Sequence, residues 1–348
     1  MRPAVAAVLL AACAPAPSDP PAPRDGHAAR ETYYIVDTDS GATGDQDLGG
    51  CIFRWDRESE ELARFATDPR LTDPQMIARR GDDLLLVDLA AETPHGNGAL
   101  ITLDGTTGDV RSVIGSELFD RPVALAVGGD GTVYIVDRSA APRGDARGAV
   151  FVVDPDSGDC RALSLDDRFR APAFLLIRED GALLLLDADT RTGRANDEGV
   201  LFTINPETGA AEEFAKLEGA ISPLGLLEEA DGSLLVFDAN ADPRSIGGPL
   251  GAVFRIAVDG TTSLVVSDHP LRDPVRACRG ANGGVLFVDA NADPKGRGPD
   301  RAGRGQNLTG GGGVFSLDPA TGRIELLTAD PLFVNPVHIM PVHVRRAP

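Results

Sequence analysis

Basic charge is scarce in this chain: 33 lysines and arginines stand against 53 aspartates and glutamates, a formal net charge of −20. Such an excess repels phosphate backbones and anionic headgroups, so nucleic acid is not expected as a partner, and cations or basic partners fit better. Cysteine is scarcer, with four in 348 residues and none in a CxxC or Cys/His spacing that would bind zinc. No apolar run reaches the roughly 20 residues of a membrane-spanning helix, and no window shows a helical 3.6-residue period. Turn formers are plentiful. Gly 40 and Pro 26 make up about 19% of the chain, high for a globular domain yet below the roughly 25–30% of low-complexity sequences. The chain should fold, turning often.

Arg2 precedes a short apolar stretch that ends at Ala12, which has the form of a secretory signal. Leu10-Ala11-Ala12-Cys13 resembles a bacterial lipobox. The resemblance implies a lipid on Cys13 as the first mature residue, and an ordinary signal peptide is the alternative. The prolines between Ala14 and Arg30 suit an extended tether. Ala14 after the cysteine resembles outer-membrane sorting. The expected organisation is a signal peptide over 1–12, a lipidated Cys13 and tether over 13–30, and a folded body over 31–346. The expected location is the cell envelope, at the outer membrane facing the periplasm or cell surface. Cys51, Cys160 and Cys278 lie too far apart to define a disulfide framework and are expected to be small buried residues.

A period of about 50 residues governs the remainder. YYIVD, LLLVD, VYIVD, LLLLD, LLVFD and VLFVD end at Asp37, Asp88, Asp137, Asp187, Asp238 and Asp289, each followed by a second apolar run such as GAVFVVD. Five of the six are preceded by a run opening with proline, at Pro74, Pro122, Pro172, Pro223 and Pro274, and a weaker fourth run closes the unit. Four short β-rich runs per repeat indicate a four-stranded antiparallel blade. Asp130-Gly131, Asp180-Gly181 and Asp231-Gly232 supply tight hairpins. The first repeat lacks its Pro-headed run, and the chain ends with an unmatched one starting at Pro336. The sequence therefore predicts an all-β fold, a six-bladed β-propeller sealed by the C-terminal strand pairing in the N-terminal blade, which removes exposed sheet edges.

These strand-end motifs resemble the six-bladed propellers of the NHL, YWTD-repeat and gluconolactonase/regucalcin-like families. The resemblance implies fold and leaves activity open. In such a blade the loop after the second strand shares a face with the crossover to the next blade, so the long loops gather on one side. The longest, Asp289 to Phe315, is either a lid or an insertion.

Three groups of candidate residues follow. Asp37-x-Asp39, Asp187-x-Asp189, Asp238-x-Asn240-x-Asp242 and Asp289-x-Asn291-x-Asp293 place side-chain oxygens at alternate positions, as the opening of a calcium loop does. The first aspartate also recurs where no partners follow, at Asp88 and Asp137, so a backbone-capping role is the competing reading. Calcium is the one cofactor expected, at the loops containing Asp238, Asn240, Asp242, Asp289, Asn291 and Asp293, which double as ligand-binding residues. Two residues after each strand-opening proline the repeats read Met76, Ala124, Phe174, Gly225, Arg276 and His338. Arg276 and His338 break an otherwise uncharged ring. They are the candidate catalytic pair, Arg276 to hold an anion near the axis and His338 as general base; the alternative is channel lining. Leu71, Phe119, Phe169, Leu271 and Phe333, three residues before the prolines, are expected as pegs between blades.

Three functions fit: a monomeric, lipid-anchored module binding a small molecule or protein through its long-loop face; a calcium-dependent lactonase, hydrolase or lyase, as the gluconolactonase resemblance implies; or an outer-membrane assembly lipoprotein. The membrane is touched only through the lipid.

Overall fold

A computed structural model describes residues 31–40, 49–140, 147–188, 199–239, 241, 251–267, 271–280, 282–292 and 311–342. These residues form six four-stranded antiparallel sheets and no helix. The fold is a six-bladed β-propeller. Cys13, Asp45, Asp189, Asp197, Asn240, Asp242, Asp293, His269, His343 and the loop 293–310 lie outside the described residues.

The ring closes as the sequence requires. Strand Pro336–Pro341 hydrogen-bonds beside Thr32–Asp37, with Ile339 opposite Ile35 and His338 opposite Val36. It becomes the inner strand of blade one, completed by Cys51–Asp56 and Leu62–Ala66. Burial is deepest at the second strands and falls toward the outer strand of each blade because apolar content does. The second strands, such as Val133–Asp137 and Leu183–Asp187, are buried throughout. Outer strands such as Thr262–Val266 show most of their side chains to solvent.

Three devices repeated around the ring follow from the sequence pattern. First, each inner strand opens on a proline, which has no N–H to offer a ladder and is tolerated at a strand's first residue. Its ring packs on the glycine that begins the third strand of the preceding blade. A Cβ added to Gly148 would lie 2.1 Å from Pro172 Cγ, and one on Gly312 2.3 Å from Pro336 Cδ across the closing joint. Gly148→Ala is therefore expected to lower stability by about 1–3 kcal/mol through overpacking, read as a shifted urea midpoint. Second, the pegs Leu71, Phe119, Phe169, Leu271 and Phe333 are all buried. Phe119 meets Phe151 at 5.8 Å, and Phe169 meets Phe202 at 5.3 Å, between ring centroids. Each peg seals the blade that the chain is entering.

The third device is the strand-end aspartate. All six are fully buried, and each carboxylate accepts N–H groups from the crossover that leads into its own blade. Asp88 takes Thr72 N at 2.8 Å, Asp73 N at 3.0 Å, Ala90 N at 3.1 Å and Ala91 N at 2.8 Å. Asp137 takes Asp120 and Arg121, Asp187 takes Arg170 and Ala171, and Asp37 takes Val334 and Asn335. The residue after each aspartate also donates its N–H to the residue before the proline, as Arg138 does to Arg121. The crossovers are thereby tied to the ends of the second strands on one face around the axis. The three described cysteines are free: Cys51 and Cys278 are buried and Cys160 is half-buried.

Candidate functional site

Around the axis, one side chain gathers the backbone carbonyls of four residues that each follow an opening proline. Arg276, 4% exposed, donates from Nη1 to Gln75 O at 2.8 Å and Val337 O at 3.4 Å. From Nη2 it donates to Val123 O at 3.0 Å and Ala173 O at 3.4 Å. These acceptors belong to the inner strands of four other blades, so the guanidinium sits as a hub on the axis. Gly225, at the matching position of blade five, lets the backbone of the next inner strand approach closely, since a Cβ there would come within 2.3 Å of Val275 O. The guanidinium carbon stands 5.8 Å from the ring centre of Phe174. No carboxylate pairs with it among the described residues. Burial, then the nearby Arg138, pushes its pKa down to about 9. Its Nε is buried and has no hydrogen-bond partner.

His338 is buried too, and its Nδ1 accepts the N–H of Ile77 in the next blade at 3.5 Å. Burial, then the Arg276 charge, holds its pKa well below the ordinary 6.5. The imidazole is therefore neutral, with Nδ1 turned to the Ile77 N–H. Protonation favours the unfolded chain, so the His338 contribution to stability is intact above pH 6.5 and is lost as pH falls below it. His338→Gln keeps an acceptor without titrating. The stability advantage of the wild type over this variant should shrink below pH 6.5, by up to about 1.4 kcal/mol per pH unit. Asp88 and Asp289, pushed up by burial to about 6 and about 7, act in the opposite sense. Their contribution is fullest in acid and is lost as pH rises through those values. Both proteins carry them, so the subtraction isolates His338.

Above the hub, on the crossover face, lies a cavity of about 300 Å³. Arg276 forms part of its floor, and Val123, Ala173, Leu224, Val275 and Val337 give it apolar walls. Arg138, Asp273, Asn291, Asn335, Ser222 and Gln75 add polar groups. Asp273 accepts a hydrogen bond from Asn291 Nδ2, and Asn335 Nδ2 donates to Thr38 Oγ1 at 2.8 Å and Asp39 Oδ2 at 3.0 Å. Burial raises the pKa of Asp273 against the pull of Asn291 and Arg272. The Arg138 guanidinium has no acceptor among the described residues, and its buried Nε is unpartnered. Burial, then Arg121, lowers its pKa.

The sequence candidates divide accordingly. Arg276 and Asn291 line the cavity, whereas His338 does not. Asp238 accepts Ser222 N at 3.1 Å; Asp289 accepts Arg272 N at 2.9 Å, Asp273 N at 3.1 Å and Asn291 N at 3.1 Å. Both carboxylates are fully buried in these caps. Among the described residues no cluster of three or more His, Cys, Asp or Glu could hold a metal ion. His95 is half exposed, its Nδ1 4.0 Å from Glu117 Oε1.

Arg138, Ser222, Asp273 and Asn335 also line the cavity and belong to none of the motifs named above. A signal was present: the residue before each proline reads Asp73, Arg121, Ala171, Ser222, Asp273 and Asn335, a position that varies from repeat to repeat. The residue after each strand-end aspartate is otherwise Thr38, Leu89, Ala188, Ala239 or Ala290, which makes Arg138 stand out.

No family model and no curated protein sequence matches the chain. Solved structures do. The propeller is similar to a chain of a nidogen/laminin complex, with 14% identity, a TM-score of 0.63, and coverage of 90% of this chain and 98% of that one. The periplasmic gluconolactonase of Pseudomonas aeruginosa matches at 16% identity and TM-score 0.53, over 90% of this chain and all of that one. A catalytically inactive virginiamycin B lyase of Staphylococcus aureus, solved with quinupristin, matches at 14% identity and TM-score 0.52, over 86% and 85% of the two chains. At such identities the likeness establishes fold, and a fold hosts many functions.

Proposed function

We propose that the chain is an exported, lipid-anchored binding propeller that holds a small ligand in its axial cavity. The observation that carries this reading is the cavity itself. It opens on the face that carries every crossover, and it is lined by side chains that depart from a repeat otherwise kept closely by packing. Repeated positions such as the strand-end aspartates hold blades together, while unrepeated ones are free to be specific. A concave site with apolar walls and a few convergent polar groups is the usual form of a small-molecule pocket. The gluconolactonase and the lyase among the structural neighbours share the propeller frame and add no residue-level support for catalysis here. With His338 outside the cavity lining and its Nδ1 engaged by the Ile77 N–H, binding needs fewer assumptions than acid–base chemistry.

Native mass spectrometry of the protein exposed to a periplasmic extract tests the reading, with Ala173→Trp as the comparison because an indole there fills the cavity. A retained small molecule in the wild type and none in the variant is expected. Equal retention by both, or none by either, would overturn the axial site. Anchoring is read separately by membrane fractionation: Cys13→Ser should move the protein from the membrane to the aqueous fraction.

A further inference from the structure

The cavity has an electrostatic character opposite to that of the whole protein. Its ionisable lining consists of Arg138, Arg276 and Asp273, two cations and one acid, in a chain of net charge −20. The acid is already engaged by Asn291. Among the described residues neither cation hydrogen-bonds a carboxylate, although the buried Asp187 charge acts on Arg138. Arg276 spends both Nη atoms on neutral carbonyls and keeps an orphan Nε, and Arg138 has no acceptor among the described residues. A buried donor without a partner costs about 1–3 kcal/mol, more when charged, and two guanidiniums held near one another add repulsion. A single anion seated between them would relieve both penalties. The uncommitted fork of Arg138 matches a carboxylate edge to edge, and Arg276, whose Nη atoms are taken by carbonyls, adds its charge.

We infer that the axial cavity takes a small organic carboxylate, with its anionic group at Arg138 and Arg276 and its carbon body against Val123, Ala173, Leu224 and Val275. This assignment rests on the binding reading and gives its ligand a chemical class. The walls select an apolar or lightly substituted body. Ser222, Asn335 and Gln75 can meet one or two hydroxyl groups on it. The negative exterior is no barrier to such a molecule, because surface charge is screened beyond about 8 Å at physiological salt. A polyanion would meet that exterior along its whole length.

Isothermal titration with benzoate, benzamide and benzylamine tests the charge requirement at nearly constant shape. The three are applied to the wild type and to Arg138→Gln and Arg138→Lys, each first shown by circular dichroism and melting to be folded. Benzoate should bind the wild type and the other two should not. Arg138→Gln should weaken benzoate at least about tenfold, the loss of one charge-assisted contact. Arg138→Lys should recover part of it, and added salt should weaken binding. Benzamide or benzylamine binding as well as benzoate, or benzoate binding unchanged in Arg138→Gln, would overturn the carboxylate assignment and leave the cavity reading standing. Silence from all three compounds would overturn the assignment as well, and the Ala173→Trp comparison decides the cavity reading independently.

Discussion

A chain ended at Val334 should be recovered as aggregate. The truncation removes strand Pro336–Pro341, including Val337 and Ile339, which are buried against blade one and its neighbours. It strips Asp37 of the Asn335 N–H and leaves Ile77 N without its His338 acceptor. The larger consequence is geometric. Strand Thr32–Asp37 is buried at all six positions, and truncation turns it into an open apolar edge with unpaired N–H and C=O groups, the form that recruits other chains. The opening at Gly312 and Pro336 also breaks one of the six blade-to-blade contacts. Size-exclusion chromatography should show loss of monomer. A soluble, compact truncated monomer would mean that the tail adds little to the ring.

Asp88→Ala should cost about 4 kcal/mol or more, a large fraction of the 5–15 kcal/mol typical of a domain. Four backbone N–H groups converge on this one carboxylate, and alanine leaves them buried or half-buried without an acceptor. Asp88→Asn should fall between, since its single acceptor oxygen keeps part of the set and its NH₂ repels the rest. The contrast is Asp156→Ala, which removes an exposed pair with Arg80 and should leave the urea midpoint unchanged, as exposed ion pairs usually do. If Asp88→Ala and Asp156→Ala were equally mild, the capping role of the strand-end aspartates would fail.

The architecture was legible because it is written six times. The Val-Asp ending recurs because each blade needs one carboxylate to tie its crossover. The Gly at each third strand and the Pro at the next inner strand recur because one occupies the space of the other's missing Cβ. Closure was legible from Pro336, a strand opening with no blade of its own. The site was less so, for a physical reason. The partners of Arg276 are backbone carbonyls at Gln75, Val123, Ala173 and Val337, separated from it by 201, 153, 103 and 61 residues. A carbonyl has no letter in a sequence, so Arg276 read as an unpaired cation beside a histidine. Asp238 and Asp289 carry the same cap as Asp88 and Asp137, while Asn240, Asp242 and Asp293, the other residues of the calcium expectation, lie outside the described residues. Arg138 was visible only as an exception in a column of small or apolar residues.

The most direct test of the account is a crystal structure of the protein isolated from its own cell envelope without added ligand. Electron density for a bounded organic molecule in the axial cavity, with an acidic group at Arg138 and its body against Ala173 and Leu224, is the predicted result. A cavity filled by water alone, with a ligand or partner seated on the blade sides instead, would contradict it.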